Sequence, residues 1–346
     1  MRAELTVDLG AIARNWQRLD DLSASATETA AVIKADGYGL GAAEIAASLQ
    51  RLGVRTFFVA LAEEGSRVRD AIGGDAEIFV LSGYLAADGP LIAGAGLIPL
   101  INSVGQFRDF AADFPGHPPA LQLDTGMNRL GLEADEFRSV RDSLGTAPPC
   151  LVMSHLACAD DPHDPLNLQQ LACFRELTAG MDCRLSLAAT GGILLGEAYH
   201  FDLCRAGIGI YGGLPFADGE GVVELDIPVI QTRRVQPGEI VGYGATWTAQ
   251  DPTRVATLSA GYADGIFRLL GDRIRFHASG VPCPGLGRIS MDLITVDVSH
   301  LEEPPNRLQL LGEYQSIDNL AELASTIGYE VLTSLGGRYD RTYKRP

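Results

Sequence analysis

Residues 31–211 contain eight short apolar runs separated by segments of helical periodicity, and this alternation limits the possible folds more than any other feature of the sequence. The runs occupy residues 31–34, 56–61, 77–82, 97–101, 120–124, 150–155, 184–188 and 203–211. Strands that alternate with helices pair in parallel, so the pattern predicts an α/β fold of the (β/α)8 TIM-barrel type. An open doubly wound sheet stays possible, because periodicity does not report closure.

The pattern changes after about residue 226. Helical periodicity nearly disappears, and short β-branched and aromatic runs with Gly and Pro turns follow, which is typical of a mostly antiparallel β domain. A helix is predicted again at residues 317–326. At the other end of the chain, a strand near residues 5–9 precedes an amphipathic helix that Asp8 is placed to cap. We therefore predict a barrel domain at residues 1–225 and a β domain at residues 226–346.

Composition excludes several classes of partner. The 346 residues carry a formal net charge of −17, which disfavours binding to nucleic acid or to anionic membranes. No apolar run is long enough to span a bilayer, and an acidic residue follows Arg2 where a signal peptide would continue apolar, so we expect a cytoplasmic protein. The six cysteines form no Cys-x-x-Cys pair and the six histidines show no ligand spacing, so we predict free thiols and no metal site.

Polar residues that can do chemistry fall at the carboxyl ends of the predicted strands, where barrel enzymes collect their active sites. These residues are Lys34, Arg129, His155, Thr190 and Arg205. Lys34 is the most informative, because an amine at the exit of an apolar strand is partly desolvated. Desolvation favours the neutral amine, which attacks carbonyl groups and forms Schiff bases. The alternative is a lysine that ends an edge strand and extends into water.

The segment after the seventh strand indicates an anion site. The Thr190 hydroxyl is followed by two glycines at the start of a helix, and the loops after strands seven and eight of such barrels commonly bind phosphate. A phosphate site combined with a carbonyl-reactive lysine indicates pyridoxal 5'-phosphate. Arg205, which has no acceptor, would leave the pyridine nitrogen of that cofactor unprotonated. The alternatives are an ordinary helix cap for Thr190, an internal ion pair for Arg205 and a satisfied core histidine at His155.

Six motifs resemble the alanine racemase family, whose members are pyridoxal-phosphate-dependent barrel enzymes. In order, the motifs are Ala31-Val32-Ile33-Lys34-Ala35-Asp36-Gly37-Tyr38-Gly39, Asp124-Thr125-Gly126-Met127-Asn128-Arg129-Leu130-Gly131, Arg205-Ala206-Gly207-Ile208-Gly209-Ile210-Tyr211-Gly212, Gly242-Tyr243-Gly244-Ala245-Thr246-Trp247, Gly261-Tyr262-Ala263-Asp264-Gly265 and Gly287-Arg288-Ile289-Ser290-Met291-Asp292. The lysine motif alone is moderately specific, since other barrels that bind this cofactor carry relatives of it. All six in this order are highly specific and cover nearly the whole chain.

The resemblance implies a two-base reaction that interconverts L-alanine and D-alanine. Lys34 would hold the cofactor as a Schiff base and act as the base on the D-alanine side. Tyr262, from the second subunit of a head-to-tail homodimer, would act on the L-alanine side. Arg129 would position the substrate carboxylate, with Met291 contributed by the partner chain. The enzyme would be an isomerase that supplies D-alanine for peptidoglycan.

The cofactor site implied by the resemblance includes Lys34, Tyr38, His155, Thr190, Arg205, Gly207 and Ile208. Tyr38, Thr190, Gly207 and Ile208 would hold the phosphate, and Arg205 would face the pyridine nitrogen. Free tyrosine has a pKa near 10. We therefore expect Arg205 and His155, both as cations, to lower the pKa of Tyr262 so that it can act as a base.

Two positions depart from the family pattern. Gln122 stands where many relatives carry a carbamylated lysine, so either an anion supplies the missing negative charge or Arg129 is held less rigidly. Ala189 replaces an asparagine in the phosphate loop, although the hydroxyl of Thr190 is kept. Substrate use beyond alanine, serine included, stays open, as does biosynthetic or catabolic use. The competing functions are a barrel-type decarboxylase, which Arg205 disfavours, and a non-catalytic cofactor-binding protein, which the second domain disfavours.

Overall fold

The computed structural model describes residues 2–144 and 148–345, and the chain forms two compact units. One unit is Ile12–Gly219, and the other combines Met1–Ala11 with Glu220–Pro346. The chain begins with β1 (Glu4–Asp8) and α1 (Leu9–Leu22). Asp8 caps α1, because its Oδ1 accepts a hydrogen bond from the Ala11 amide at 2.8 Å.

The first unit contains the predicted barrel. Its parallel strands are β2 (Glu28–Val32), β3 (Thr56–Val59), β4 (Glu77–Val80), β5 (Ile98–Ile101), β6 (Ala120–Gln122), β7 (Leu151–Met153), β8 (Arg184–Ser186) and β9 (Leu203–Ala206). They pair in the order β8-β7-β6-β5-β4-β3-β2-β9. The two end strands meet through the Arg205 amide, which donates to the Ala188 carbonyl at 2.9 Å, and through a parallel bridge from Ala189 to Arg205. The eight-stranded α/β barrel fold is therefore confirmed, and the open sheet is excluded.

The helices of this unit follow the strands. After α1 come the turn α2 (Lys34–Tyr38), α3 (Ala42–Arg51), α4 (Ala62–Ile72), α5 (Gly89–Ala95), α6 (Val104–Asp113), α7 (Ala134–Ser143), α8 (Pro165–Leu177) and α9 (Thr190–Leu194). The strands are buried on both faces, with the rings of Phe58 and Phe79 stacked at 5.0 Å. At the amino ends of the strands, Arg184 bridges Glu28 at 2.7 Å and Glu77 at 2.5 Å. That bridge joins strands that are not neighbours in the sheet and closes the end opposite the candidate site.

The second unit is a mostly antiparallel β structure, as predicted. Its elements are β10 (Val223–Val235), β11 (Ile240–Val241), β12 (Trp247–Thr248), β13 (Thr253–Leu258), β14 (Arg275–Ala278), β15 (Val281–Pro284), β16 (Ile294–Asp297), β17 (Arg307–Leu311), α10 (Ile317–Leu323), α11 (Gly328–Ser334) and β18 (Asp340–Lys344). The main sheet runs β15-β14-β17-β10-β1-β18, with β13 paired to β10 and β16 paired to β13.

The compact units differ from the predicted domains at both borders. The sequence placed the opening strand in the first domain and the boundary at residue 225, whereas the division falls at residues 219 and 220. The physical reason is the pairing of β1, which is antiparallel to β10 and parallel to β18. A strand that exchanges its hydrogen bonds with the second unit belongs to that unit, wherever it stands in the chain.

Candidate active site

Lys34 lies at the carboxyl end of β2, where the backbone makes an unusual left-handed turn. Ala35, Asp36, Gly37 and Tyr38 have φ values of 53°, 54°, 64° and 56°. Only glycine adopts this conformation at little cost, so the non-glycine residues store strain of about 1 kcal/mol or more each. Carboxylates hold the turn, because Glu64 Oε1 accepts from the Ala35 amide at 2.8 Å and Asp36 Oδ1 accepts from the Ala42 amide at 3.0 Å.

The environment of Lys34 favours its neutral amine. The side chain is half-buried, and desolvation lowers its pKa. The positive charge of Arg129 lowers that pKa further, and Glu64 partly opposes both effects. A lysine of lowered pKa at the mouth of a barrel is able to attack a carbonyl group.

A compact group of backbone amides and hydroxyls lies around Thr190 and Gly207. The buried Thr190 hydroxyl accepts hydrogen bonds from the amides of Gly207 at 3.0 Å and Gly209 at 3.2 Å. A hydroxyl has two lone pairs and one proton, so these bonds leave the proton of Thr190 to be donated elsewhere. A Cβ at Gly207 would lie 3.0 Å from the Tyr38 hydroxyl, so glycine keeps this space open. Ile208, also buried, opens the next turn, and the arrangement suits an anion such as a phosphate group.

Arg205 is buried on β9 and is held in one orientation by hydrogen-bond acceptors. Its guanidinium donates to Ser186 Oγ at 2.5 Å and to the carbonyls of Ser154 at 2.7 Å and Leu187 at 3.3 Å. Burial lowers the pKa of Arg205 to about 10, so it stays a cation at neutral pH. Ser186 was not predicted as a site residue, because its only signal in the sequence is a serine inside an apolar strand.

His155 contacts Arg205 and is neutral, which corrects the expectation that both residues are cations. Its Nδ1 lies 3.3 Å from Arg205 Nη2, so Nδ1 accepts that bond and the ring proton is on Nε2. Desolvation, followed by the charges of Arg205, Arg129 and Lys34, lowers the pKa of His155 to about 3. Gln170, a second residue missed in the sequence, fixes the His155 backbone by donating to its carbonyl at 2.9 Å.

The loop that carries Arg129 is fixed at its base. Asp124 Oδ1 accepts from the amides of Gly126 at 2.8 Å and Met127 at 3.0 Å. The buried Gln122 donates from Nε2 to the Leu130 carbonyl at 3.1 Å. Gln122 therefore restrains the backbone next to Arg129 by a neutral hydrogen bond. Arg129 itself is exposed, and its charge acts on both Lys34 and His155.

The second unit holds the remaining two predicted site residues on adjoining turns. Tyr262 is 41% exposed and Met291 is 53% exposed. The Tyr262 amide donates to the Ser290 carbonyl at 3.1 Å, and the next amide, that of Ala263, donates to the Met291 carbonyl at 3.0 Å. The two side chains therefore project from turns whose backbones are hydrogen-bonded to each other. Arg338, which no motif marked, contacts both turns through its guanidinium.

Two further observations concern other kinds of site. Across residues 2–144 and 148–345, no group of three or more His, Cys, Asp or Glu side chains is placed to hold a metal ion. Within the same part of the chain, no helix has the length and apolar character needed to cross a membrane.

With this geometry established, the fold is that of an α/β barrel enzyme, with a lysine of lowered pKa after β2 and a group of backbone amides around Thr190. The family model for the alanine racemase N-terminal domain matches residues 7–215, and the model for the alanine racemase C-terminal domain matches residues 222–343. The chain belongs to the alanine racemase family. The resemblance recognised in the sequence is thereby confirmed.

Individual relatives agree over the full length. An alanine racemase of Dinoroseobacter shibae is 56% identical over 342 residues, which cover 99% of this chain and 98% of the relative. One of Cereibacter sphaeroides is 54% identical over 341 residues, with the same coverage. Among solved structures, the alanine racemase of Bartonella henselae with covalently bound pyridoxal phosphate is 36% identical and superposes with a TM-score of 0.94, covering 99% of this chain and all of that one.

Proposed function

We propose that this protein is an alanine racemase that interconverts L-alanine and D-alanine with pyridoxal 5'-phosphate. The observation that carries the proposal is Lys34, an amine of lowered pKa held in a strained turn, in a chain of this family. The described residues fit the cofactor: the Thr190 hydroxyl retains a proton to donate, Gly207 keeps open space beside Tyr38, and Arg205 is a buried donor. When bound, the cofactor would supply an electron sink for the charge left at the α-carbon.

Each predicted site residue of the barrel has a definite role in this proposal. Lys34 would hold the cofactor covalently and move a proton on the D-alanine side. Thr190, Tyr38, Gly207 and Ile208 would hold the phosphate. These groups lie at the carboxyl ends of the strands, where a barrel collects its active site.

Arg205 and His155 set the electronic character of the site. Arg205 would donate to the ring nitrogen and leave it unprotonated, because a guanidinium has no acceptor. An unprotonated ring weakens the electron sink, which suits the movement of one proton and disfavours side reactions. The neutral His155 accepts from Arg205 at 3.3 Å and so leaves only Arg205 as the cation of this pair. The decarboxylase alternative is less favourable, since those enzymes use an acid at that nitrogen.

A two-base racemisation uses one base on each face of the α-carbon, and Tyr262 is our proposed second base. It would act from the partner subunit of a homodimer, on the L-alanine side, with Met291 beside it. Its exposed position on one unit supports this role, because a residue that completes another subunit's site must be accessible. Arg129 would bind the substrate carboxylate. We further propose that the enzyme works in the cytoplasm and supplies D-alanine for peptidoglycan.

The test is turnover. Purified protein supplied with pyridoxal phosphate and L-alanine should yield D-alanine until the two are equal. Lys34→Ala should abolish turnover, whereas Tyr262→Phe should lower it by roughly 10²–10⁴-fold while the cofactor stays bound. The absence of racemisation with alanine and with serine would reject the proposal, and release of CO2 would favour the decarboxylase instead.

Subunit sharing has its own test. A mixture of inactive Lys34→Ala and Tyr262→Phe proteins should regain activity after subunit exchange, because one site of each mixed dimer would then contain both native residues. If exchange is demonstrated and activity does not return, each chain completes its own site.

A further inference from the structure

Arg338, just before β18, joins the two turns that carry Tyr262 and Met291. Its Nε and Nη2 each donate to one carboxylate oxygen of Asp264 at 2.7 Å, and its Nη1 donates to Asp292 Oδ1 at 2.8 Å. Asp264 stands two residues after Tyr262, and Asp292 follows Met291 directly. A planar guanidinium is the side chain suited to such a paired contact, because its donors are arranged in a fixed fork.

The carboxylate of Asp264 depends on Arg338 as the cation that pairs with it. The residue is 4% exposed, and a carboxylate so buried is costly unless it is paired and hydrogen-bonded. Its Oδ2 also accepts from the Gly261 amide at 2.9 Å, which closes the Tyr262 turn on itself. The Asp264 carbonyl accepts from the Tyr339 hydroxyl at 2.7 Å and from the Gly336 amide at 3.1 Å. The segment before β18 that carries Arg338 is therefore joined to the Tyr262 turn by both side-chain and backbone hydrogen bonds.

The Tyr262 turn lies close against neighbouring backbone at both of its ends. A Cβ at Gly261 would overlap the carbonyls of Ser290 and Met291, and a Cβ at Gly265 would overlap the Ser334 carbonyl. Glycine at both positions thus allows the turn to lie in direct backbone contact with its neighbours. With the packing this close, loss of the Arg338 contacts would release the turn from one side only.

We propose that Arg338 is a positioning residue for Tyr262, acting through Asp264, and that its second contact sets the Met291 turn in register with it. The proposal rests on the proposed function, in which Tyr262 is a base that acts from this unit. A base must be held within hydrogen-bond reach of the proton that it moves, and a misplacement of 1 Å costs on the order of 100-fold in rate. Arg338 itself touches no reacting atom.

The first test measures order in the turn without reference to activity. Amide hydrogen exchange at residues 261–265 should be faster in Arg338→Gln than in the wild-type protein, because Asp264, whose Oδ2 is the acceptor for the Gly261 amide, loses its paired contact with the guanidinium. Asp292→Ala, which removes only the second contact, should speed exchange around Met291 and leave the Gly261 amide protected. Arg307→Gln is the matched control, because it breaks an arginine–carboxylate pair with Glu4 in the same unit. It should change neither segment.

The second test measures the proton transfer. The two enantiomers have equal free energy, so kcat/KM must fall equally in both directions, by roughly 10–100-fold in Arg338→Gln. Deuterium at the α-carbon separates the bases. A slower Tyr262 step should raise the isotope effect on kcat/KM for L-alanine and lower it for D-alanine. A mere loss of folded protein would leave both isotope effects unchanged.

Arg338→Lys provides the graded variant if Arg338→Gln folds poorly. It keeps the charge and loses the fork, so it should show the same opposite changes in isotope effect at smaller size. Unchanged exchange in Arg338→Gln would overturn the proposal, as would unchanged isotope effects in a variant whose exchange has risen. A wild-type protein that does not racemise alanine would instead reject the proposed function, a result distinct from both.

Discussion

Replacing Thr190 with valine removes one oxygen atom and leaves the shape of the side chain intact. In the wild-type protein that oxygen accepts from the buried amides of Gly207 at 3.0 Å and Gly209 at 3.2 Å. Valine fills the same volume, so no water can take the place of the hydroxyl. Each buried donor left without a partner costs about 1–3 kcal/mol, and partial relaxation of the loop would reduce the sum. We expect Thr190→Val to lower the free energy of unfolding by about 2–4 kcal/mol.

Thr190→Ser is the matched control, because it keeps the hydroxyl and loses one methyl group. It should cost about 1 kcal/mol. Urea denaturation of the cofactor-free variants gives both values. In the proposed function the Thr190 proton also reaches the phosphate, so the affinity for pyridoxal phosphate should fall by roughly 10–100-fold in the valine variant only. If the two variants were equally stable and bound the cofactor equally, the account of this loop would be refuted.

Three further predictions concern other parts of the barrel. The pKa of His155 falls from 6.5 to about 3 on folding. Between those pH values the unfolded chain binds a proton on this histidine that the folded chain does not bind. The free energy of unfolding should therefore fall as the pH drops through that window, by up to roughly 1.4 kcal/mol per pH unit. Urea midpoints of His155→Gln should lack this component, and an unchanged pH profile would contradict it. Gln122→Leu removes the hydrogen bond to the Leu130 carbonyl, so it should raise the KM for alanine about 3–10-fold without weakening the binding of pyridoxal phosphate. Weakened cofactor binding would argue against a role limited to the Arg129 loop. Arg184→Met should lower the free energy of unfolding by about 1–2 kcal/mol in thermal or urea melts, because its ion pairs with Glu28 and Glu77 are only partly buried. The kcat should not change, because these pairs lie at the end of the barrel opposite the candidate site. A large loss of kcat would contradict that placement.

The barrel was predictable because its sequence signals are local. Parallel strands buried on both faces read as continuous apolar runs. Seven of the eight runs contain a strand, and the first, residues 31–34, overlaps the end of β2. Gly89, Pro90 and Gly94 dilute the periodicity of α5, so the bounds of this helix are hard to predict from the sequence. The parallel pairing of β1 with β18 could not be predicted, because the partners stand at opposite ends of the chain and nothing local encodes their contact.

The residues of the candidate site also divide into those that local sequence signals reveal and those that depend on tertiary contacts. Lys34, Thr190 and Arg205 could be found because strand ends and glycine turns have sequence signatures. The left-handed turn after Lys34 could not, since Ala35 and Asp36 rarely adopt positive φ and only tertiary contacts hold them there. The neutrality of His155 depends on burial and on the charges of Arg205 and Arg129, which lie far from it in the sequence. Arg338 belongs to no motif, and its role is visible only from its distances to Asp264 and Asp292.

The central claim is that the Lys34 amine binds pyridoxal phosphate covalently. Borohydride treatment of the protein loaded with pyridoxal phosphate, followed by peptide mass spectrometry, tests it directly. We expect a single reduced adduct on Lys34, absent from Lys34→Ala and accompanied by loss of alanine racemisation. An adduct on a different side chain, or none at all in an active protein, would contradict it.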